Sequence, residues 1–204
     1  KFKCLDHIWN DNDSFTEKVA KFKHYLQGTI HLNSESMHQI HDSYTDCFNG
    51  KISKRPMVEL VIPSILDPTL TPPGSEKLIA NMFVQYAPYT LKGRKWGDEV
   101  RQEFIKNTFD VIDEYAPNFS QSVEFNDVLF PPDLEDIIGM TGGNIFHGAL
   151  DFNNIFFTRP QPNYANYQSP IGGLWSCGAS NHPGGGVMGA PGRNCALNIL
   201  KSGF

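Results

Sequence analysis

Three consecutive glycines, Gly184-Gly185-Gly186, stand between a β-prone stretch, Leu174 to Cys177, and an amphipathic stretch that runs to about Lys201. The pattern predicts a strand, a glycine turn and a helix beginning near Gly185 or Gly186, with Val187, Cys195, Ile199 and Leu200 facing inward. The first N–H groups of a helix have no intrahelical acceptor, and the helix dipole makes that end positive. At Gly185, Gly186, Val187 and Met188 no bulky side chain precedes those donors, so they can receive an anionic or electron-rich ligand atom. Glycine is the residue type for backbone that needs positive φ or tight clearance. Pro191 would fall inside such a helix and kink it. Glycine turns between strands and helices also occur where nothing binds, so the motif alone leaves a ligand-free turn open.

Other residues around this motif carry chemistry of their own. His147, in Phe146-His147-Gly148, and His182, in Asn181-His182-Pro183, are candidate proton-exchanging catalytic groups. Each reads more readily as a hydrogen-bonded turn or core histidine. Arg159, in Thr158-Arg159-Pro160, suits a phosphate, a carboxylate or a carbonyl end of a substrate, or else a surface or interdomain ion pair. Tyr164 and Tyr167, with Phe156 and Phe157, can line an apolar passage for a long lipid-like substrate or can simply be core. No spacing of Cys and His suggests a metal site.

The elements that must position these residues alternate in type. Ile30 and Leu32 alternate with polar neighbours in a short strand over 27–33, and Ser34 is placed to cap a following helix. Met37, Ile40, Tyr44, Cys47 and Phe48 fall on one face of that helix, which Asn49-Gly50 ends. Met57 to Ile62 and Lys77 to Tyr86 read as strands, separated by a proline-rich surface loop. The strongest helix covers 97–115, with Val100, Phe104, Val111, Ile112 and Tyr115 as its apolar stripe. Ser122 to Phe130 reads as another strand, and Pro131-Pro132 opens a short helix through Ile138. The expected fold is α/β (α+β), with a mixed or largely antiparallel sheet and helices on one face. From Gly139 onward glycine, asparagine and aromatics concentrate while charge nearly vanishes. That composition suits close approach to a ligand or to another part of the chain.

Composition removes other classes of function. The chain has 204 residues, 40% hydrophobic and 19% charged, which is enough to bury a core. The net charge of −5 and the lack of a basic stripe argue against nucleic acid as a partner. No apolar run approaches the ~20 residues of a membrane-spanning helix. Cys4, Cys47, Cys177 and Cys195 are too sparse for a disulfide framework and read as reduced, in keeping with an intracellular compartment. The chain opens at Lys1 rather than Met, so the expectation is a C-terminal section of a longer protein.

Three stretches together, Gly142 to Leu150, Phe156 to Trp175 and Cys177 to Ala196, resemble the C-terminal region of the phytoene-desaturase-like FAD oxidoreductases. Upstream pieces from about Gln27 are similar too. The resemblance implies a two-domain FAD/NAD(P)-binding fold, with residues 1–170 in the substrate domain and 171–204 supplying the last strand and helix of the FAD-binding domain. It puts Gly178 and Ala179 near the ribityl or pyrophosphate linker of FAD. It also puts the N–H groups of Val187 and Met188 at the pyrimidine carbonyl of the flavin, where a helix N-terminus favours the reduced form. It implies a hydrophobic polyene or isoprenoid substrate, a mitochondrial matrix location and a link to a respiratory-chain partner. A non-catalytic regulatory or interaction role on a flavoprotein scaffold is the alternative, and lipid carriage a third. The chain departs from the family in one respect. It has no G-x-G-x-x-G strand–turn–helix for the pyrophosphate, so by itself it is expected to bind FAD weakly or not at all.

Overall fold

The computed structural model describes residues 2–203 and divides into two compact units, Lys1–Val128 and Leu129–Phe204. In the first unit, helix α1 (Phe15–Leu26) begins at a capping box: Ser14 Oγ accepts from Glu17 N–H while the Glu17 carboxylate accepts from Ser14 N–H. Strands β1 (Ile30–Leu32), β2 (Met57–Val61) and β3 (Asn81–Gln85) form an antiparallel sheet in that order. The antiparallel sheet agrees with the expectation, and β3 is shorter than the 77–86 stretch. Helix α3 (Asp98–Tyr115) lays Val100, Phe104, Val111 and Ile112 into the interior. Leu32, Val58, Leu60, Val111, Ile112 and Ala116 make the core that joins this helix to the sheet. Burial of such side chains stabilises by about 1.5–3 kcal/mol each.

Helix α2 (Met37–Phe48) is capped by Ser36 rather than Ser34. Its expected core stripe is largely in water: Met37 and Phe48 are each 78% exposed and Tyr44 48%. The helix is instead held by Ser43, whose hydroxyl donates to Gln85 O (2.8 Å) and accepts from Tyr86 N–H (3.1 Å) at the end of β3. The proline-rich loop contains two short 3-10 turns, and Ser64 and Ile65 in it are buried. No strand forms over 122–130. The short helix α4 (Phe119–Ser122) is followed by extended, mostly exposed backbone.

The second unit opens with α5 (Pro131–Ile138), as Pro131-Pro132 predicts, and Phe130 N–H donates to Asp133 Oδ2 (2.8 Å) ahead of it. Gly139 in the left-handed region closes the helix. Beyond it the chain runs almost entirely in turns until α6 (Ala190–Lys201). The predicted strand at 174–177 is reduced to a single bridge between Gln168 and Trp175. Among the described residues, no helix is long and apolar enough to cross a membrane, and no group of three or more His, Cys, Asp or Glu is placed to hold a metal ion.

Candidate functional site

All the candidate residues fall in the second unit. The predicted helix start moves: α6 begins at Ala190, with Gly189 as its left-handed N-cap. Gly184, Gly186 and Gly189 have φ of +106°, +136° and +64°, which a right-handed helix excludes. Pro191 therefore sits in the first turn, where its missing N–H costs nothing, and no kink is required. Met188 N–H is taken by Gly186 O (2.9 Å), whereas Val187 N–H donates to no acceptor among the described residues. Val187 stands fully in solvent, Leu200 is 78% exposed, and Cys195 is the buried member of the expected inward set.

The turn is built by hydrogen bonds to its own backbone. Asn181 N–H donates to Gly178 O (3.0 Å) and Gly184 N–H to Asn181 O (2.7 Å). Asn181 Oδ1 accepts from Ser176 Oγ (2.8 Å). Tyr167 is buried, and its hydroxyl donates to His182 O (2.6 Å) while accepting from Asn194 Nδ2 of α6 (3.1 Å). That geometry makes Tyr167 a structural pin. Tyr164 is half-buried, and its N–H donates to Gln161 O (3.1 Å).

Arg159 lies underneath. It is 1% exposed and donates to the carbonyls of Phe146, Asn154 (3.4 Å) and Ala179 (2.8 Å). One guanidinium thus ties the 142–150 stretch to the 178–186 stretch. Among the described residues no carboxylate pairs with Arg159. A Cβ on Gly184 would lie 3.2 Å from a Leu150 methyl and 3.8 Å from Arg159 Nε. A Cβ on Gly185 would lie 3.2 Å from the Phe146 ring. The His182 ring packs on Phe156, centroids 5.4 Å apart. Phe146, Leu150 and Phe156, between 41% and 59% exposed, so form an apolar collar at the turn. His147 is exposed on the neighbouring loop, with φ +57° and its N–H donating to Asn144 O (2.9 Å).

Among the described residues, three buried side-chain donors have no acceptor: Arg159 Nε, Trp175 Nε1 and Asn181 Nδ2. Native proteins pair nearly all such groups, with protein, water or a ligand. Asn181 and Trp175 are not singled out by sequence reasoning. Asn181 lies within the glycine motif, but burial of an amide has no sequence signature. The Cys195 thiol is pushed up by burial and by the neighbouring Cys177 thiol. All four cysteines are free, as expected.

No family model matches the chain. Over 176 residues it is 48% identical to pyridine nucleotide-disulfide oxidoreductase domain-containing protein 2 of Mus musculus, an alignment covering 86% of this chain and 30% of that one. The chain is homologous to that oxidoreductase-domain protein. The Rattus norvegicus protein of the same name matches equally, also at 48%. The chain spans about 30% of the length of these two relatives. More distant similarity reaches a limonene dehydrogenase component of Castellaniella defragrans, 29% identical over 67% of this chain and 25% of that protein. A 4,4'-diapophytoene desaturase of Staphylococcus aureus is 26% identical over 70% of this chain and 28% of its own length.

Proposed function

We propose that this chain forms the C-terminal portion of an FAD-dependent oxidoreductase. The observation that carries this reading is the Gly184–Gly186 turn, bare of side chains, with the buried unpaired donors Arg159 Nε and Asn181 Nδ2 in its immediate surroundings. Those donors suit an acceptor-rich cofactor, and the similarity to the oxidoreductase-domain proteins supports the same assignment. In this reading residues 1–170 belong to the substrate domain and 171–204 to the FAD-binding domain, a division by role in the whole fold rather than by compactness.

When bound, FAD supplies the hydride or electron acceptor. The protein residues bind and orient. Gly178 and Ala179 would lie along the ribityl or diphosphate part, and Gly185, Gly186 and Val187 would offer backbone to the ring. Val187 N–H is a free donor there, whereas Met188 N–H must first release Gly186 O. The half-exposed Phe146, Leu150 and Phe156 collar offers apolar surface that suits an apolar substrate. Two of the more distant relatives are named for limonene and diapophytoene, which supports a hydrophobic isoprenoid or polyene as the substrate class. His182, packed against Phe156, is better placed to exchange a proton at this face than the outward His147.

The full-length protein should purify yellow and release FAD on denaturation. A colourless protein that takes up no added FAD overturns the proposal. The family resemblance further supports a mitochondrial matrix location and a respiratory-chain partner. Protease protection of the full-length protein in intact, but not detergent-treated, mitochondria tests the location.

A further inference from the structure

Arg159 is almost wholly withdrawn from solvent, and the groups that meet it are all neutral. Backbone carbonyls satisfy its hydrogen bonds but leave its net positive charge in place. Burying an ion without an opposite charge is costly, so such an arrangement persists where a counter-charge completes it. The unpaired Nε is on the side of Gly184, where the φ of +106° and the lack of a side chain leave only backbone and a Leu150 methyl nearby. Asn181, whose carbonyl accepts from Gly184 N–H, adds a second buried donor without an acceptor. The guanidinium is withdrawn from water, and a charge so placed acts across several ångströms without direct contact.

We infer that Arg159 is the built-in counter-charge for a negatively charged oxygen of the dinucleotide lying on the Gly184–Gly186 turn. The inference rests on the flavin reading above and deepens it: the chain supplies a fixed cation, held by three carbonyls, in addition to open backbone. The oxygen has two sources, the diphosphate or the pyrimidine end of the ring when it carries negative charge.

The test uses the full-length protein and the substitutions Arg159→Gln, Arg159→Lys, Leu150→Glu and Leu150→Gln. Binding of FAD and of riboflavin is read by fluorescence. Sulfite affinity of the flavin-loaded protein is read as bleaching, because sulfite adds through its sulfur to flavin N5 and leaves negative charge on the pyrimidine end. Arg159→Gln should weaken FAD binding or sulfite binding by about tenfold or more, while Arg159→Lys stays within about threefold of the parent. Loss for FAD but not riboflavin assigns the diphosphate; loss of sulfite affinity assigns the ring.

If Arg159→Gln does not fold, the Leu150 pair decides. Leu150 is 49% exposed, so a polar side chain there keeps contact with water. Both substitutions remove the same apolar contact, but only a carboxylate competes for the cation, so Leu150→Glu should weaken flavin binding at least about tenfold more than Leu150→Gln. Equal effects of the two Leu150 variants, unchanged affinities in Arg159→Gln, or equal losses in Arg159→Gln and Arg159→Lys overturn the inference. A parent protein that takes up no flavin overturns the flavoprotein reading instead. The Arg159 inference is then judged with inorganic pyrophosphate: a rise in melting temperature in the parent but not in Leu150→Glu supports it, and no rise overturns it.

Discussion

At Gly143 an added methyl group would lie 2.7 Å from the Cα of Pro131, with the Pro131 carbonyl closer still, at a φ of +63°. Neighbouring Gly142 has nearly the same φ, +65°, and nothing within 4 Å of the added methyl. The pair separates backbone strain from steric collision. Gly142→Ala carries only the left-handed penalty, about 1 kcal/mol. Gly143→Ala adds a clash with backbone at the first turn of α5 and should cost about 3 kcal/mol or more. Denaturant midpoints of the two variants should fall in that order; equal midpoints would mean that Pro131 and Gly143 do not touch. Positive φ, as at Gly139, Gly142, Gly173 and Gly189, rather than close approach of this kind, accounts for most of the glycine after residue 139.

Between α3 and α4, Asp113 Oδ1 accepts from Ser120 N–H (3.0 Å) and Oδ2 from the Ser120 hydroxyl. Partial burial pushes the Asp113 carboxyl up, but these bonds together with that from the Phe119 backbone outweigh it, and the net direction is down. A carboxyl lowered in the folded state contributes stability above its unfolded value, and that contribution is lost as pH falls through the folded value. Ser120→Ala should therefore destabilise by about 1 kcal/mol at neutral pH. The difference should shrink below about pH 4, where the unfolded carboxyl becomes protonated. Chemical denaturation across that range checks it; a constant difference would assign the effect to packing.

The same scale shows what the sequence makes legible. The α3 stripe and the Pro131-Pro132 start are readable because periodicity and proline act locally. α1 is absent from the elements expected from sequence, although Ser14 and Glu17 have the spacing of a capping box. The α2 stripe misleads because periodicity reports a face and not what covers it. The start of α6 lies some residues beyond the glycine run, and Pro191, which suggests a kink if the helix starts at the glycines, is itself a helix-start signal. Of the candidate site, the glycine turn is legible. The buried charge of Arg159 and the unpaired amide of Asn181 are not, since both depend on contacts between distant turns.

For the whole molecule, the boundary between compact units falls after Val128, within extended backbone that includes Phe125 at 82% exposure. Brief chymotrypsin treatment should cut first after Phe125, giving two fragments by mass spectrometry; first cuts within α3 or α6 would contradict the division. Inside the second unit, the bond from Tyr167 to His182 O and the bond it receives from Asn194 make one phenol the shared fulcrum of a loop and the terminal helix. The loop and the start of that helix therefore hang on one hydroxyl, and neither can part from it without losing a hydrogen bond.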